Sequence, residues 1–152
     1  MKMKKMGFLC LALVFMFAIS ACALNKTAIT AEEFTTAATS SGFTVVDETD
    51  QYEGKTVISL LAADSTESFQ VEFHEVETQA QASSAYLQNK STLDGIDSGT
   101  TISSNGNNWA KFSKTAGGAY GVISYIDTTF IYVRAPQEHK QAIQDLLKEL
   151  GY

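Results

Sequence analysis

The sequence predicts an α+β fold, in which an antiparallel sheet of about six or seven strands packs with three helices. Three observations lead to this class. Two capping boxes and one proline-led amphipathic segment mark the starts of helices. Between these segments apolar residues recur at every second position, as they do in half-buried strands. Three dipeptides typical of hairpin turns then divide the second half of the chain into successive antiparallel strands.

The first helix is predicted to begin after Thr30, where a capping box is present. The Thr30 hydroxyl and the Glu33 carboxylate can each accept a hydrogen bond from an unpaired backbone amide of the first turn. Ile29 and Phe34 are placed to form a hydrophobic staple across this turn, and Gly42 is expected to end the helix.

Two further helices follow from similar signals. A second capping box, Thr78 with Gln81, opens a helix whose apolar side ends near Leu93. The third helix is predicted to start at Pro136, because proline fits the first helical turn. Its apolar residues recur at helical spacing before Gly151 stops it: Ile143, Leu146, Leu147 and Leu150.

Strands are predicted at 43–47, 55–63 and 69–76, followed by a meander. The meander is divided by three turns, each taken as a two-residue loop: Asn105-Gly106, Gly117-Gly118 and Asp127-Thr128. These turns fix which residues share a face. One face carries Ala110, Phe112, Ile123, Tyr125, Phe130 and Tyr132, and the other carries Ile102, Trp109, Val122, Ile126, Ile131 and Val133. Both faces are apolar, so either both are covered or one is a binding surface.

The first residues of the chain form a separate segment. Residues 1–5 carry three lysines, and residues 6–24 contain no charge, which is typical of a secretory signal. The alternative is an uncleaved transmembrane helix, since nineteen residues are enough to span a bilayer. The lysines before this segment would keep its N terminus inside, so both alternatives place the domain outside the cytoplasm.

The end of this segment, Ile19-Ser20-Ala21-Cys22, resembles the lipobox of bacterial lipoproteins. The resemblance implies cleavage after Ala21, a diacylglycerol thioether on Cys22, and a further acyl chain such as palmitate on the new amino group. Two or more chains give a durable membrane anchor. The expected organisation is a signal peptide at 1–21, a short membrane tether at 22–29, and a single α+β domain at 30–152.

The expected mature chain is acidic and has no free thiol. Without residues 1–21 it carries eight Lys and Arg against seventeen Asp and Glu, a net charge of −9. Dispersed cations on an acidic chain argue against a nucleic-acid partner. Because Cys10 is removed and Cys22 is lipidated, no disulfide, thiolate metal site or cysteine nucleophile is expected. No P-loop, G-x-G-x-x-G, H-E-x-x-H or G-x-S-x-G motif is present, and no cofactor is expected.

Two groups of polar residues are candidates for chemistry. Glu72 and His74 alternate on one strand and would project together, either as an acid/base pair or partial metal site, or as part of a solvated face. We favour the solvated face, because no third ligand is evident. The acidic segment from Asp47 to Glu53 could hold calcium, but its spacing is not that of an EF-hand loop, and a solvated acidic turn is the favoured interpretation.

The candidate binding surface is an aromatic set on one sheet face, namely Phe112, Tyr125, Phe130 and Tyr132. Such rings could stack on a sugar, a peptide or another envelope protein. The favoured alternative is that helix 136–150 covers them. The domain also resembles small uncharacterised lipoproteins of Gram-positive bacteria, in residues 30–34, 42–47 and 146–152, and this resemblance implies no activity.

These observations predict a lipid-anchored protein outside the cytoplasm, acting as a non-catalytic binding or interaction module at the cell envelope. Its expected partners are the membrane, through Cys22, and an envelope protein or small ligand. The alternative is a small hydrolase or metal-dependent enzyme that uses Glu72 and His74 or the acidic turn. Anchoring to the cell membrane is favoured, with the outer membrane of a Gram-negative cell as the minority case.

Overall fold

The computed structural model describes residues 24–52, 54, 56–63, 65–66, 68–96 and 98–152, so the predicted signal peptide and Cys22 lie outside the described residues. The described chain forms three α-helices: α1 (Ala31–Ser40), α2 (Gln79–Asp94) and α3 (Lys140–Glu149). It also forms seven strands: β1 (Thr44–Asp47), β2 (Ile58–Ala63), β3 (Gln70–Glu75), β4 (Thr100–Asn105), β5 (Trp109–Ala116), β6 (Ala119–Ile126) and β7 (Thr129–Pro136). Two short 3-10 turns lie at Thr49–Tyr52 and Gln137–His139.

The strands form one sheet in the order β1-β2-β3-β7-β6-β5-β4, and every neighbouring pair is antiparallel. Two meanders, β1 to β3 and β4 to β7, are joined where β3 pairs with β7. Helix α2 connects the two meanders. The predicted α+β class, with its three helices and antiparallel sheet, is confirmed.

Local sequence signals set the helix starts, with one exception. Both capping boxes are formed, Thr30 with Glu33 before α1 and Thr78 with Gln81 before α2. The prediction that the third helix starts at Pro136 is wrong, because Pro136 ends β7 and α3 begins only at Lys140. The intervening Gln137 N–H donates to the Gly118 carbonyl at 2.7 Å, which holds this segment against the β5–β6 turn.

Two of the three predicted turns are two-residue loops. Ala116 pairs with Ala119 around Gly117-Gly118, where both glycines have the positive φ that this tight turn needs. Ile126 likewise pairs with Thr129 around Asp127-Thr128. The Asn105-Gly106 loop is predicted wrongly. Asn105 stays in β4 opposite Ala110, and the connection runs from 106 to 108, because Asn107 and Asn108 bond to another segment of the chain.

The sheet is the middle layer of three. Helices α1 and α3 pack on one face, and α2 packs on the other. The strand registers place each predicted set of residues on a common face. The face that packs against α1 and α3 carries the buried Val122, Ile126, Ile131 and Val133. Ile102, on the edge strand of the same face, is 59% exposed.

Helix α2 sits closely on the sheet through one leucine and one glycine. Leu93 is fully buried, and a Cβ atom built on Gly121 of β6 would lie 2.4 Å from Leu93 Cδ2. The end of the helix is also held, because the buried Lys114 Nζ donates to the carbonyls of Asp94 at 2.7 Å and Ile96 at 2.5 Å. These bonds satisfy carbonyls that a helix C terminus leaves unpaired.

The Leu93–Gly121 contact predicts coupled substitutions. Leu93→Ala should lower the free energy of unfolding by about 2–5 kcal/mol through a cavity, and Gly121→Ala by about 1–3 kcal/mol through overpacking. The double variant should lose less than the sum, because truncating the leucine removes the atom that the new Cβ would meet. Urea unfolding of the four proteins measures this, and strictly additive losses would contradict the contact.

Candidate functional site

Glu72 and His74 are brought together on β3. Alternate residues of a strand point to the same face, and His74 Nε2 lies 3.3 Å from Glu72 Oε2. The side chain of Glu72 is 37% exposed and that of His74 only 4%. The expectation of a solvated face is therefore wrong for His74, because Tyr52 and Phe130 cover its ring. His74 Nδ1 has no hydrogen-bond partner among the described residues. Among the described residues, the contact with Glu72 is therefore the hydrogen bond that the imidazole makes.

The imidazole is enclosed by other rings. Phe130 of β7 stacks on it with centroids 4.6 Å apart, and Tyr52 meets it edge-on at 5.1 Å. Tyr52 belongs to the 3-10 turn that follows β1, and burial, followed by the nearby Glu72 and Glu48, raises the pKa of its hydroxyl. A substrate would approach the carboxylate of Glu72 before it could reach the His74 ring.

The acidic segment that begins at Asp47 stabilises the local backbone through hydrogen bonds. Asp47 Oδ1 accepts hydrogen bonds from the Thr49 hydroxyl at 2.6 Å and from the Thr49 amide at 2.9 Å. These bonds, the hydroxyl first, lower the pKa of Asp47. They anchor the start of the 3-10 turn that carries Tyr52, while Glu53 lies outside the described residues. Within the described part of the chain, no three His, Cys, Asp or Glu side chains converge on a common metal position.

The aromatic set lies beneath a helix, although a different helix from the one favoured by sequence. Phe112 and Phe130 are buried, and Tyr125 and Tyr132 are half-buried. The covering element is α2, whose Tyr86 ring meets that of Tyr125 at 5.5 Å. Coverage by helix 136–150 was the wrong expectation, because α3 packs with α1 on the opposite face. The two tyrosines are the members of the set that remain partly open to solvent.

A contact that sequence reasoning missed joins residues 24–26, in the segment predicted to be a tether, to the β4–β5 connection. The Asn107 amide donates to the Leu24 carbonyl at 2.7 Å. The Asn108 side chain bonds to Lys26 twice, accepting from its amide at 3.0 Å and donating to its carbonyl at 2.7 Å. We call this contact between residues 24–26 and 106–109 the tether clip. It also explains the glycine at 106, because a Cβ there would lie 2.6 Å from the Leu24 carbonyl.

The side chain of Lys26 extends the clip to the last residues of the chain. Lys26 Nζ donates to the Gly151 carbonyl at 2.8 Å and lies 4.4 Å from the centroid of the Trp109 ring. Burial lowers the pKa of this amine. Lys111 Nζ makes a similar bond to the Tyr152 carbonyl at 3.1 Å. Both ammonium groups are thus bonded within the protein.

Tyr152 completes this end of the domain. It is 4% exposed, its amide donates to the Leu147 carbonyl at 2.8 Å, and its hydroxyl is hydrogen-bonded to the buried Thr129. Burial raises the pKa of the Tyr152 hydroxyl well above its ordinary value, an effect only partly offset by the bond to Thr129. The residues of the tether and the last residues of the chain therefore lie together beside the first residues of β5.

Comparison with known proteins adds no relative: no protein-family model, curated protein or solved structure matches this chain. In the part of the chain that the structure describes, no helix has the length and apolar character required to cross a bilayer.

Tyr152 predicts a loss of stability in alkaline solution. Its pKa is raised in the folded state relative to about 10 in the unfolded chain. The phenol therefore favours folding fully below about pH 10, and this contribution falls as the pH rises towards the folded-state pKa. Tyr152→Phe should cost about 1 kcal/mol at pH 8 by removing the bond to Thr129.

Between pH 8 and pH 11 the variant should then lose about 1 kcal/mol less than the wild type, because it has no phenol at this position to ionise on unfolding. Denaturant titrations at the two pH values measure both differences. Parallel losses in the two proteins would show that Tyr152 does not carry the alkaline sensitivity.

Proposed function

We propose that this chain is a bacterial lipoprotein, acylated on Cys22 and exposed outside the cytoplasm, whose domain acts as a non-catalytic interaction module at the cell envelope. The observation that carries the proposal is the lipobox-like sequence Ile19 to Cys22, followed within two residues by a tether that is hydrogen-bonded to the folded domain. Anchor and domain are thus adjacent in the chain, as a protein that works close to a membrane requires.

The surroundings of His74 argue against a catalytic role for this residue. The aromatic rings that could have formed a platform pack against α2, and the His74 imidazole is enclosed by Phe130 and Tyr52. A hydrolytic site needs a nucleophile or activated water within reach of the base. Among the described residues, no nucleophile is hydrogen-bonded to Nδ1 of His74, the nitrogen that Glu72 does not contact.

The outer edge of the sheet at β4 supports an interaction role. All six residues of β4 are exposed, and among the described strands β5 is its one partner. Its sequence, TTISSN, has no charge and no proline, the usual devices that keep an edge from pairing with another chain. Backbone groups at such an edge can accept an extended segment of a partner. We propose an envelope protein as that partner, with a small ligand as the alternative.

A second candidate, a small hydrolase, is favoured by one observation, the 3.3 Å contact between His74 Nε2 and Glu72 Oε2. In this candidate Glu72 would orient His74, and His74 would act as the general base through Nδ1. Entry of a substrate would require Tyr52 to move off the imidazole. Turnover of ester or phosphoester substrates that is retained in Glu75→Gln and lost in Glu72→Gln would favour this candidate.

The lipid anchor is tested by labelling growing cells with a radioactive fatty acid. The wild type and Cys10→Ala should both incorporate label and float with membranes, since Cys10 lies in the segment predicted to be removed. Cys22→Ala should incorporate none, because the thiol that carries the diacylglycerol is gone. Label on Cys22→Ala, or wild-type protein released into the medium without fatty acid, would refute the anchor.

The interaction role is tested with a photo-crosslinking amino acid placed in the intact anchored protein. At Ile102, in β4, it should give a discrete crosslinked band with an envelope protein. Val46, in the opposite edge strand β1, is 50% exposed against 59% for Ile102 and serves as the matched position, where no such band is expected. Identical bands at both positions would contradict a specific role for the β4 edge.

A further inference from the structure

One end of the domain holds the tether, and the other end lies a full strand away. The tether end consists of the β4–β5 connection at 106–108, the β6–β7 turn at 127–128, and residues 151–152. The far end consists of the β5–β6 turn at 117–118 and the 3-10 turn Gln137–His139. The eight residues of β5 connect the two ends and span about 26 Å.

We infer that the tether clip orients the domain, so that the tether end rests on the lipid surface and the far end faces away from it. This inference rests on the proposed anchor at Cys22. Leu24 is two residues after Cys22, and two residues span at most about 7 Å. Because Leu24 and Lys26 are already bonded to Asn107 and Asn108, the anchor is held within that distance of the tether end.

The orientation does not depend on attraction between lysines and anionic lipids. The ammonium groups of Lys26 and Lys111 donate hydrogen bonds to the carbonyls of Gly151 and Tyr152, respectively. The clip also presents an apolar side chain, since Leu24, its first residue, is 59% exposed. An apolar side chain next to an acyl anchor is stabilised by entering the lipid interface. The surface that the tether end fits is therefore a lipid bilayer of any headgroup charge.

The hydrogen bonds of the clip must offset the conformational entropy that the tether loses when it is held in place. Each contributes about 0.5–1.5 kcal/mol net to stability, and Asn108 makes two of them with the same residue. The cation–π contact of Lys26 with Trp109 adds to them. A tether released from the clip would let the domain turn freely above the membrane.

The mature chain allows a direct test, because Cys22 is its one cysteine and carries the lipid. An environment-sensitive fluorophore is attached to Asn107→Cys at the tether end or to Gln137→Cys at the far end, both exposed positions. The lipidated protein is placed in phosphatidylcholine vesicles containing nitroxide-labelled lipid. Quenching should be at least about threefold stronger at residue 107 than at 137, because the positions are separated by the length of β5.

Three further measurements make the result specific. A fluorophore on Thr128→Cys, also at the tether end, should be quenched like residue 107, which guards against disturbance of the clip by the first probe. The ratio should be unchanged in high salt, since charge does not set the orientation. In Lys26→Met/Asn108→Ala, which lacks the side-chain bonds of the clip, the ratio between 107 and 137 should fall towards one.

Equal quenching at the two ends of the wild type, or stronger quenching at residue 137, would overturn the orientation. Flotation of the same samples separates this result from failure of the anchor. Protein that floats with the vesicles but shows no difference between the ends has an anchor without the orientation. Protein that carries no lipid and does not float refutes both the anchor and the inference that rests on it.

Discussion

The constraint on which the rest of this structure depends is that the central strands are apolar on both faces. Phe73, Val122 and Ile131 point to one side of the sheet, and Phe112, Ile123 and Phe130 point to the other. A sheet of this kind must be covered twice. Helices α1 and α3 cover one face and α2 the other, so the three-layer arrangement follows from the strand sequences. Once both faces are covered, the surfaces that remain for function are the edges and the ends of the sheet.

The two ends of the sheet are not equivalent. The tether, the β4–β5 connection and the last two residues meet at one end through backbone carbonyls, two asparagine bonds and the half-buried amines of Lys26 and Lys111. Contacts of this kind join segments that are 82 or 125 residues apart. The domain therefore holds its own N-terminal segment in a defined position, and a lipid attached just before that segment would be held with it. In the proposed lipoprotein, the fold would thus set the position of the domain relative to the membrane.

Sequence reasoning succeeded where the determinants are local. The capping boxes at Thr30 and Thr78, and the glycine pair at 117–118, act on their own neighbours, and each is formed as predicted. It failed where distant segments compete. Pro136 is typical of a helix start, yet the helix begins only at Lys140, and the amide of Gln137 donates to the Gly118 carbonyl of a distant turn. The Asn105-Gly106 pair is typical of a two-residue turn, yet Asn107 and Asn108 are hydrogen-bonded to Leu24 and Lys26 and the connection is longer.

In the candidate site, the alternation of Glu72 and His74 predicted that they meet. The burial of His74 depends on Tyr52 and Phe130, which no spacing reveals.

In the proposed orientation, the membrane also limits how the open edge can be used. β4 runs towards the tether end, so in every anchored copy this strand points at the bilayer. Two copies on one membrane would present their β4 strands in the same direction. Antiparallel pairing of two edges would require one copy to be inverted, which the anchor forbids, and parallel pairing is less stable per residue. An unprotected edge invites self-association in a freely tumbling protein. Held in this orientation, the β4 edge of each copy stays available to an antiparallel segment of a different protein.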